Sequence, residues 1–360
     1  MAMSYPFIFT PQIVRYLQTI ERAHETVRLT ALSPLLAEQL RHQADIRSTH
    51  FSTWIEGNRL TLKETEKVIQ HGRLFPGRER DVLEVERYYQ TMQQVEKWVE
   101  GNQKITEVRL QKIHALLYAG RRARPTPYRD GQNVMRDSSG QIVYMPPEAK
   151  DVPVLMAELV DWINQAETEY PIPVIAGIVH YQFVTIHPFY DGNGRSARIL
   201  ATWILYQGDY DLGKFYALEE FYAQDLVGYY EALVTHPHHN YYYGRHEADI
   251  TPWLDYFLRG MSLVFERVSR EVSQRGINDS DDEVEQALLR PLDRRARRAL
   301  GLFAQQTTIQ SKDVANLIGI SPRQARDLLH GWVEQGWLVV LDPSRRGRKY
   351  GLADDYLVLV

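Results

Sequence analysis

Apolar residues recur at three- and four-residue spacing along most of the chain, so the pattern predicts a mainly α protein. Residues 12–28 place Ile13, Tyr16, Leu17, Ile20 and Val27 mostly at helical spacing, giving a first amphipathic helix. Ser33-Pro34 reads as an N-cap followed by a first-turn proline. That second helix carries Leu35, Leu36, Leu40 and Ile46 and should stop near Gly57-Asn58. Thr61-Leu62-Lys63-Glu64 is a capping box for a short helix ending near Gly72. Residues 81–99 put Val82, Val85, Tyr88, Tyr89 and Met92 on one broad apolar face, and Thr106 caps a helix through Leu110, Ile113, Leu116 and Leu117 to Gly120. The period changes from Pro125 to Pro147, where Gln132–Arg136 and Gln141–Met145 flank the turn Asp137-Ser138-Ser139-Gly140 and read as a short hairpin. Helical patterns return over 151–166, 173–184, 195–206 and 250–272, with a tyrosine- and acid-rich stretch at 215–233.

Beyond residue 275 the texture shifts again. Asp279, Asp281, Asp282, Glu283 and Glu285 make an acidic linker over 276–290. It is followed by helices around 294–303, 311–317 (opened by a Ser311 cap) and 321–335, and then by short strands at 337–341 and 349–352. The expected division is an N-terminal helical region at 1–105, a core at 106–275, the linker, and a small domain at 291–360.

At 360 residues with 44% hydrophobic content the chain can bury two or three cores, and no apolar run reaches membrane-spanning length. The start MAMSYPFIFTPQ lacks the charges and apolar run of a signal peptide, and there are no cysteines, so a cytoplasmic protein with no membrane association is expected. Disulfides, thiolate metal sites and cysteine nucleophiles are excluded. The net charge of -4 conceals a basic tail: residues 291–350 hold eleven Lys and Arg against five Asp and Glu, a net +6. His236, His238, His239 and His246 are irregularly spaced among tyrosines, a poor pattern for a dedicated metal site.

The densest chemistry is His187-Pro-Phe-Tyr-Asp-Gly-Asn-Gly-Arg-Ser-Ala-Arg198. Gly192-Asn193-Gly194 suits a loop whose bare N–H groups face an anion, and the helix that follows adds its positive end, so a di- or triphosphate is the natural ligand. Arg195 and Arg198 share one face of that helix. Asp191 is the nearby hard oxygen ligand for Mg²⁺, and His187 can be neutral at cell pH and accept a proton from a nucleophile. His180 reads as a packed histidine.

His187 to Arg198 resembles, at all nine fixed positions, the pattern H-P-F-x-D-G-N-G-R-x-x-R of the Fic domain family, whose members typically transfer AMP from ATP to a protein hydroxyl. The resemblance implies a Fic-type helical core with a β-hairpin flap, ATP as substrate and Mg²⁺ as cofactor. His187 would be the base on a Tyr, Thr or Ser hydroxyl of a target protein, and Asp191 the metal ligand. Phe189, Gly192, Asn193, Gly194, Arg195 and Arg198 would form the nucleotide site, with Tyr229 or Tyr230 beside the adenine. The hairpin near 128–147 is similar in placement to the family's flap, which registers a target segment by strand addition. Ser52, Glu56 and Gly57 resemble the family's inhibitory-helix pattern S/T-x-x-x-E-G/N. Its glutamate would bind Arg198 bidentately and so compete with the γ-phosphate. Gly194 stands where the phosphate-transferring Doc branch has lysine, which favours nucleotidyl transfer.

The tail resembles a winged helix-turn-helix. Arg323 and Arg326 on the helix at 321–335, the second of the helix-turn-helix pair, and Arg345, Arg346, Arg348 and Lys349 at the wing tip fall where such a fold touches DNA, although the fold also serves protein contacts and dimerisation. Expected partners are therefore the target protein, DNA through the tail, and a second copy of the chain. Two other functions compete with AMP transfer: removal of AMP at the same site with Glu56 positioning water, and nucleotide-sensing DNA-binding regulation.

Overall fold

The computed structural model describes residues 5–136, 139–166, 168–278, 288–289, 291–304, 306–344 and 347–359. The acidic residues Asp279, Asp281, Asp282, Glu283 and Glu285, and the basic Arg345 and Arg346, lie outside this set.

The first part of the chain is helical: α1 (Pro11–Leu29), α2 (Pro34–Ile55), α3 (Leu62–His71), α4 (Glu79–Glu100) and α5 (Glu107–Ala119). Local chemistry sets their starts. Ser33 Oγ accepts from the Leu36 N–H at 3.4 Å, the Thr61–Glu64 capping box is closed from both sides, and Thr106 Oγ1 accepts from Arg109 N–H. A two-stranded hairpin follows, β1 (Met135–Arg136) with β2 (Ile142–Tyr144), shorter than the sequence pattern predicts. Met135 pairs with Tyr144 and Arg136 with Ile142, with an irregularity between them.

The centre of the molecule is α6 (Val152–Ala166), α7 (Ile172–Ile186) and α8 (Asn193–Gln207). α7 is apolar on every side and almost wholly buried, as a helix enclosed by others must be. α8 packs along it, with Trp203 fully buried. The stretch at 215–233 is two helices, α9 (Leu218–Gln224) and α10 (Leu226–Ala232), broken at Asp225, whose side chain caps the second. α11 (Thr251–Asn278) runs against α1 and α7, and one apolar core extends from Ile13 to Val272.

A separate core joins Leu289, Ala296, Leu300, Ile318, Leu329, Trp332, Trp337 and Leu352. Helices at Arg294–Leu300, Ser311–Ile318 and Pro322–Glu334 precede an antiparallel pair, Leu338–Asp342 with Lys349–Leu352. Ser311 is the first helical residue rather than the cap. The cap is Gln310, whose N–H donates to the Asp313 carboxylate at 2.8 Å, the reciprocal contact of a capping box in which the residue three positions on satisfies the cap's own N–H. Arg298 ties this unit to the rest through Glu100.

Candidate active site

The catalytic-motif loop connects two buried helices. α7 ends where His187 adopts a left-handed conformation (φ 53°, ψ 59°), an uncommon geometry for a non-glycine residue and one found at functional sites. α8 begins at Asn193, two residues earlier than the sequence pattern predicts. Asn193 and Gly194 thus belong to the helix's first turn, where N–H groups need no intrahelical partner and a glycine costs little. Gly192 precedes them with φ 74°, and a Cβ there would lie 2.6 Å from the Tyr118 ring. Intrahelical bonding begins with the Ser196 N–H on the Gly192 carbonyl at 3.0 Å, so the N–H groups of residues 193–195 are the free end of the helix.

Asn193 shapes the loop from inside. Its amide accepts from the Phe189 N–H at 3.0 Å and donates to the Phe189 carbonyl at 2.8 Å. Phe189 itself is buried and stacked on His114 with centroids 3.9 Å apart. Both residues therefore act as anchors of the loop, since their side chains are spent on the protein.

His187 Nδ1 lies 3.3 Å from the Val184 carbonyl, which can only accept, so Nδ1 carries the proton and Nε2 keeps its lone pair. Burial lowers the imidazole pKa to about 4, partly opposed by that backbone contact, with Arg129 pressing in the same direction as burial. His187 is thus neutral at pH 7. Asp191 is exposed, and burial of its carboxyl would raise its pKa. Hydrogen bonds from Tyr118 and the Gly192 N–H, with the charge of Arg195, outweigh that term and hold it below the usual carboxylate range. His180 is buried, accepts from or donates to Tyr229 at 3.1 Å, and is pushed down to about 3 by burial, the state of a packed neutral imidazole.

Arg198 is fully enclosed. Its Nε donates to Ser52 Oγ and its Nη2 to the Ser52 carbonyl, each at 2.9 Å, and Nη2 also donates to Glu56 Oε1 at 2.8 Å. The glutamate uses one oxygen, so the bidentate pairing expected from the sequence is replaced by a three-acceptor cage in which Ser52 supplies two. Burial would lower the arginine's pKa, but Glu56 overrides it and the guanidinium stays charged. Glu56 caps α2, and Gly57 turns away with φ 93°. A Cβ on Gly194 would meet Glu56 Oε1 at 2.6 Å, so the glutamate lies directly on the helix start. Arg195 pairs with Glu84 and donates to the Tyr118 hydroxyl at 2.8 Å. Arg195 Nε and Arg198 Nη1 are buried donors with no acceptor among the described residues.

Of the two tyrosines expected beside an adenine, Tyr229 is closed off among Tyr222, His180 and Trp253, with 1% of its surface exposed. Tyr230 is 49% exposed and feels the Glu56 charge, so only Tyr230 offers a ring face. The hairpin is fastened to the loop by Arg129, a residue given no role by the sequence reading. It is buried, and its Nε donates to the His187 carbonyl at 2.9 Å, its Nη1 to Gly131 and its Nη2 to Pro147. Tyr144 donates to the Thr185 carbonyl, and Met145 forms a parallel bridge with Asn240. Glu84, Tyr118 and His114 also escaped detection, because nothing local in the sequence marks a long-range partner.

The sequence profile described as "Fic/DOC family" matches residues 104–205. Proteins named "Protein adenylyltransferase Fic" are similar: that of Drosophila willistoni is 26% identical over 208 residues, covering 56% of this chain and 41% of its own. That of Nematostella vectensis is 29% identical over 175 residues, covering 45% and 38%. The chain thus spans about two fifths of the length of these curated relatives. Among solved structures, a Fic family protein from Desulfovibrio desulfuricans G20 aligns over 98% of both chains with a TM-score of 0.61 at 28% identity. A Fic domain-containing signaling protein from Bacteroides thetaiotaomicron shares the fold, with a TM-score of 0.60 at 19% identity over 74% of this chain and 99% of its own. The chain carries a Fic/DOC domain, and its helical fold is that of Fic proteins.

Proposed function

We propose that this protein transfers AMP from ATP to a Tyr, Thr or Ser hydroxyl of a target protein and is held in check by Glu56. The observation that carries the reading is the loop itself, which has a neutral histidine with a free Nε2 at one end and an anion-binding helix start at the other. His187 Nε2 takes the hydroxyl proton. The oxygen then forms a bond to the α-phosphorus as the bond from that phosphorus to the pyrophosphate oxygen breaks, and pyrophosphate leaves. The N–H groups of 193–195 and the unpaired donors on Arg195 and Arg198 suit the β- and γ-phosphates. Asp191, an exposed carboxylate kept ionised, would hold a Mg²⁺ ion, which would neutralise charge on the leaving group. Glu56 on Arg198 takes the donor that would hold the γ-phosphate. The test is incorporation of labelled AMP by wild type, Glu56→Gly and His187→Ala. Signal should rise in the first variant and vanish in the second, and equal low signal in all three would refute the reading.

A second reading concerns the tail, whose three helices and hairpin fit a winged helix that binds DNA. It is supported by a cavity of about 500 Å³ between the helix Pro322–Glu334 and the hairpin, lined by Lys312, Arg326, His330 and Arg348. Duplex binding that weakens steeply with salt supports it, and salt-independent or absent binding rejects it.

A further inference from the structure

Arg195 sits in a cage of its own. One terminal nitrogen pairs with Glu84 Oε1, and the side chains are only 6% and 12% exposed. The other donates to Tyr118 Oη, whose ring also lies under the guanidinium at 5.2 Å. Glu84 is held from behind, because its second oxygen accepts from Asn58 Nδ2 at 2.9 Å. The same amide nitrogen donates to the Asp81 carbonyl at 3.0 Å, and Asn58 Oδ1 accepts from the Leu60 N–H. Asn58 is buried and follows Glu56-Gly57 directly. Both arginines of the phosphate end are therefore gripped by one short stretch of chain, Arg198 by Ser52 and Glu56, and Arg195 by Asn58 through Glu84.

The two grips differ in kind. Glu56 is one of three acceptors on an arginine that retains both acceptors of Ser52 without it. Glu84 is the sole salt-bridge partner of Arg195 among the described residues, in a site too enclosed for water to replace it freely. A buried guanidinium without its carboxylate must turn toward solvent or another acceptor, which would carry Nε away from the helix start.

We propose that Glu84 is a positioning residue for nucleotide binding: with Asn58 and Tyr118 it aims Arg195 so that its unpaired Nε–H serves the phosphates. The proposal rests on the nucleotide-transfer reading above. Its sign separates it from the alternative that Glu84 is a second competitor like Glu56. Removing a carboxylate that merely repels phosphates must tighten nucleotide binding, whereas removing one that aims the arginine must weaken it.

The measurement is the dissociation constant of Mg·ATP by calorimetry, in the Glu56→Gly background so that the restraint is already absent. Binding is read without any transfer step, so failure of the adenylylation reading would appear as intact binding with no labelled product. Glu84→Gln should weaken binding by about tenfold, the range for a lost charge-assisted hydrogen bond. Asn58→Ala, which touches Arg195 only through Glu84, should weaken it in the same direction by a smaller factor and add little to Glu84→Gln. Melting midpoints guard against misfolding. If Glu84→Gln does not fold, Asn58→Ala alone, which loosens Glu84 without touching Arg195 or Asp191, must still show the weakening. Unchanged or tighter binding in the folded variants overturns the proposal.

Discussion

Glu56→Gly isolates the restraint with little disturbance to the fold. Glu56 lies past the last turn of α2 with φ -90° and ψ 9°, a conformation glycine adopts without strain. Arg198 keeps Ser52 Oγ and the Ser52 carbonyl as acceptors, so the guanidinium is not left bare. What is lost is one hydrogen bond between charged groups at 2.8 Å, in a site where the glutamate side chain is 23% exposed and partly screened. Such a bond contributes about 1–2 kcal/mol, a factor of roughly 5 to 30 in the population with Arg198 free for a phosphate. The initial rate of AMP incorporation at saturating Mg·ATP should rise by that factor, with Glu56→Gln intermediate because it keeps an acceptor without the charge. A rate equal to or below wild type, with ATP still bound, would show that the Glu56–Arg198 contact is not what limits transfer.

The pH profile carries a signed expectation. His187 acts as a base only when neutral, and its pKa in the fold is about 4 against an ordinary value near 6.5, so kcat/KM should hold its plateau through pH 5.5 and fall only toward pH 4. A midpoint near 6.5 would refute the buried-imidazole picture. The same depression means the unfolded chain binds the proton more readily, so His187 costs stability as pH falls from about 6.5 through 4. Arg129→Ala removes three donors that fasten the hairpin and should destabilise the protein by about 2–4 kcal/mol. It should also impair target modification more than ATP binding, measured by melting and by separate substrate titrations. In the tail, Arg326→Ala with Arg348→Ala should flatten the slope of log K against log salt for duplex DNA by about 1–2, and an unchanged slope would place DNA elsewhere.

Features set by neighbours in sequence were legible before the structure. The caps at Ser33, Thr61 and Thr106 each depend on a side chain and an N–H three residues apart. The loop from His187 to Arg198 likewise declares its chemistry in twelve consecutive residues. The partners of its arginines were only half visible. Ser52 and Glu56 were found through a short pattern, whereas Glu84 and Tyr118 depend on how α4 and α5 turn against α8, a matter of packing that no local rule encodes. Tyr229 and Tyr230 could not be ranked because the break at Asp225 resets the helical phase that decides which of the two faces inward. Arg129 looked like an ordinary charged residue entering a hairpin, since its acceptors are backbone carbonyls up to 58 residues away.

The central claim is tested most directly by following two labels in one reaction. Glu56→Gly is incubated in lysate with ATP labelled on either the α- or the γ-phosphate, and protein-bound label is measured with and without His187. Label from the α-position alone, dependent on His187, is the predicted result. Label from the γ-position, or α-label that persists in Glu56→Gly with His187→Ala, would contradict nucleotidyl transfer at this loop.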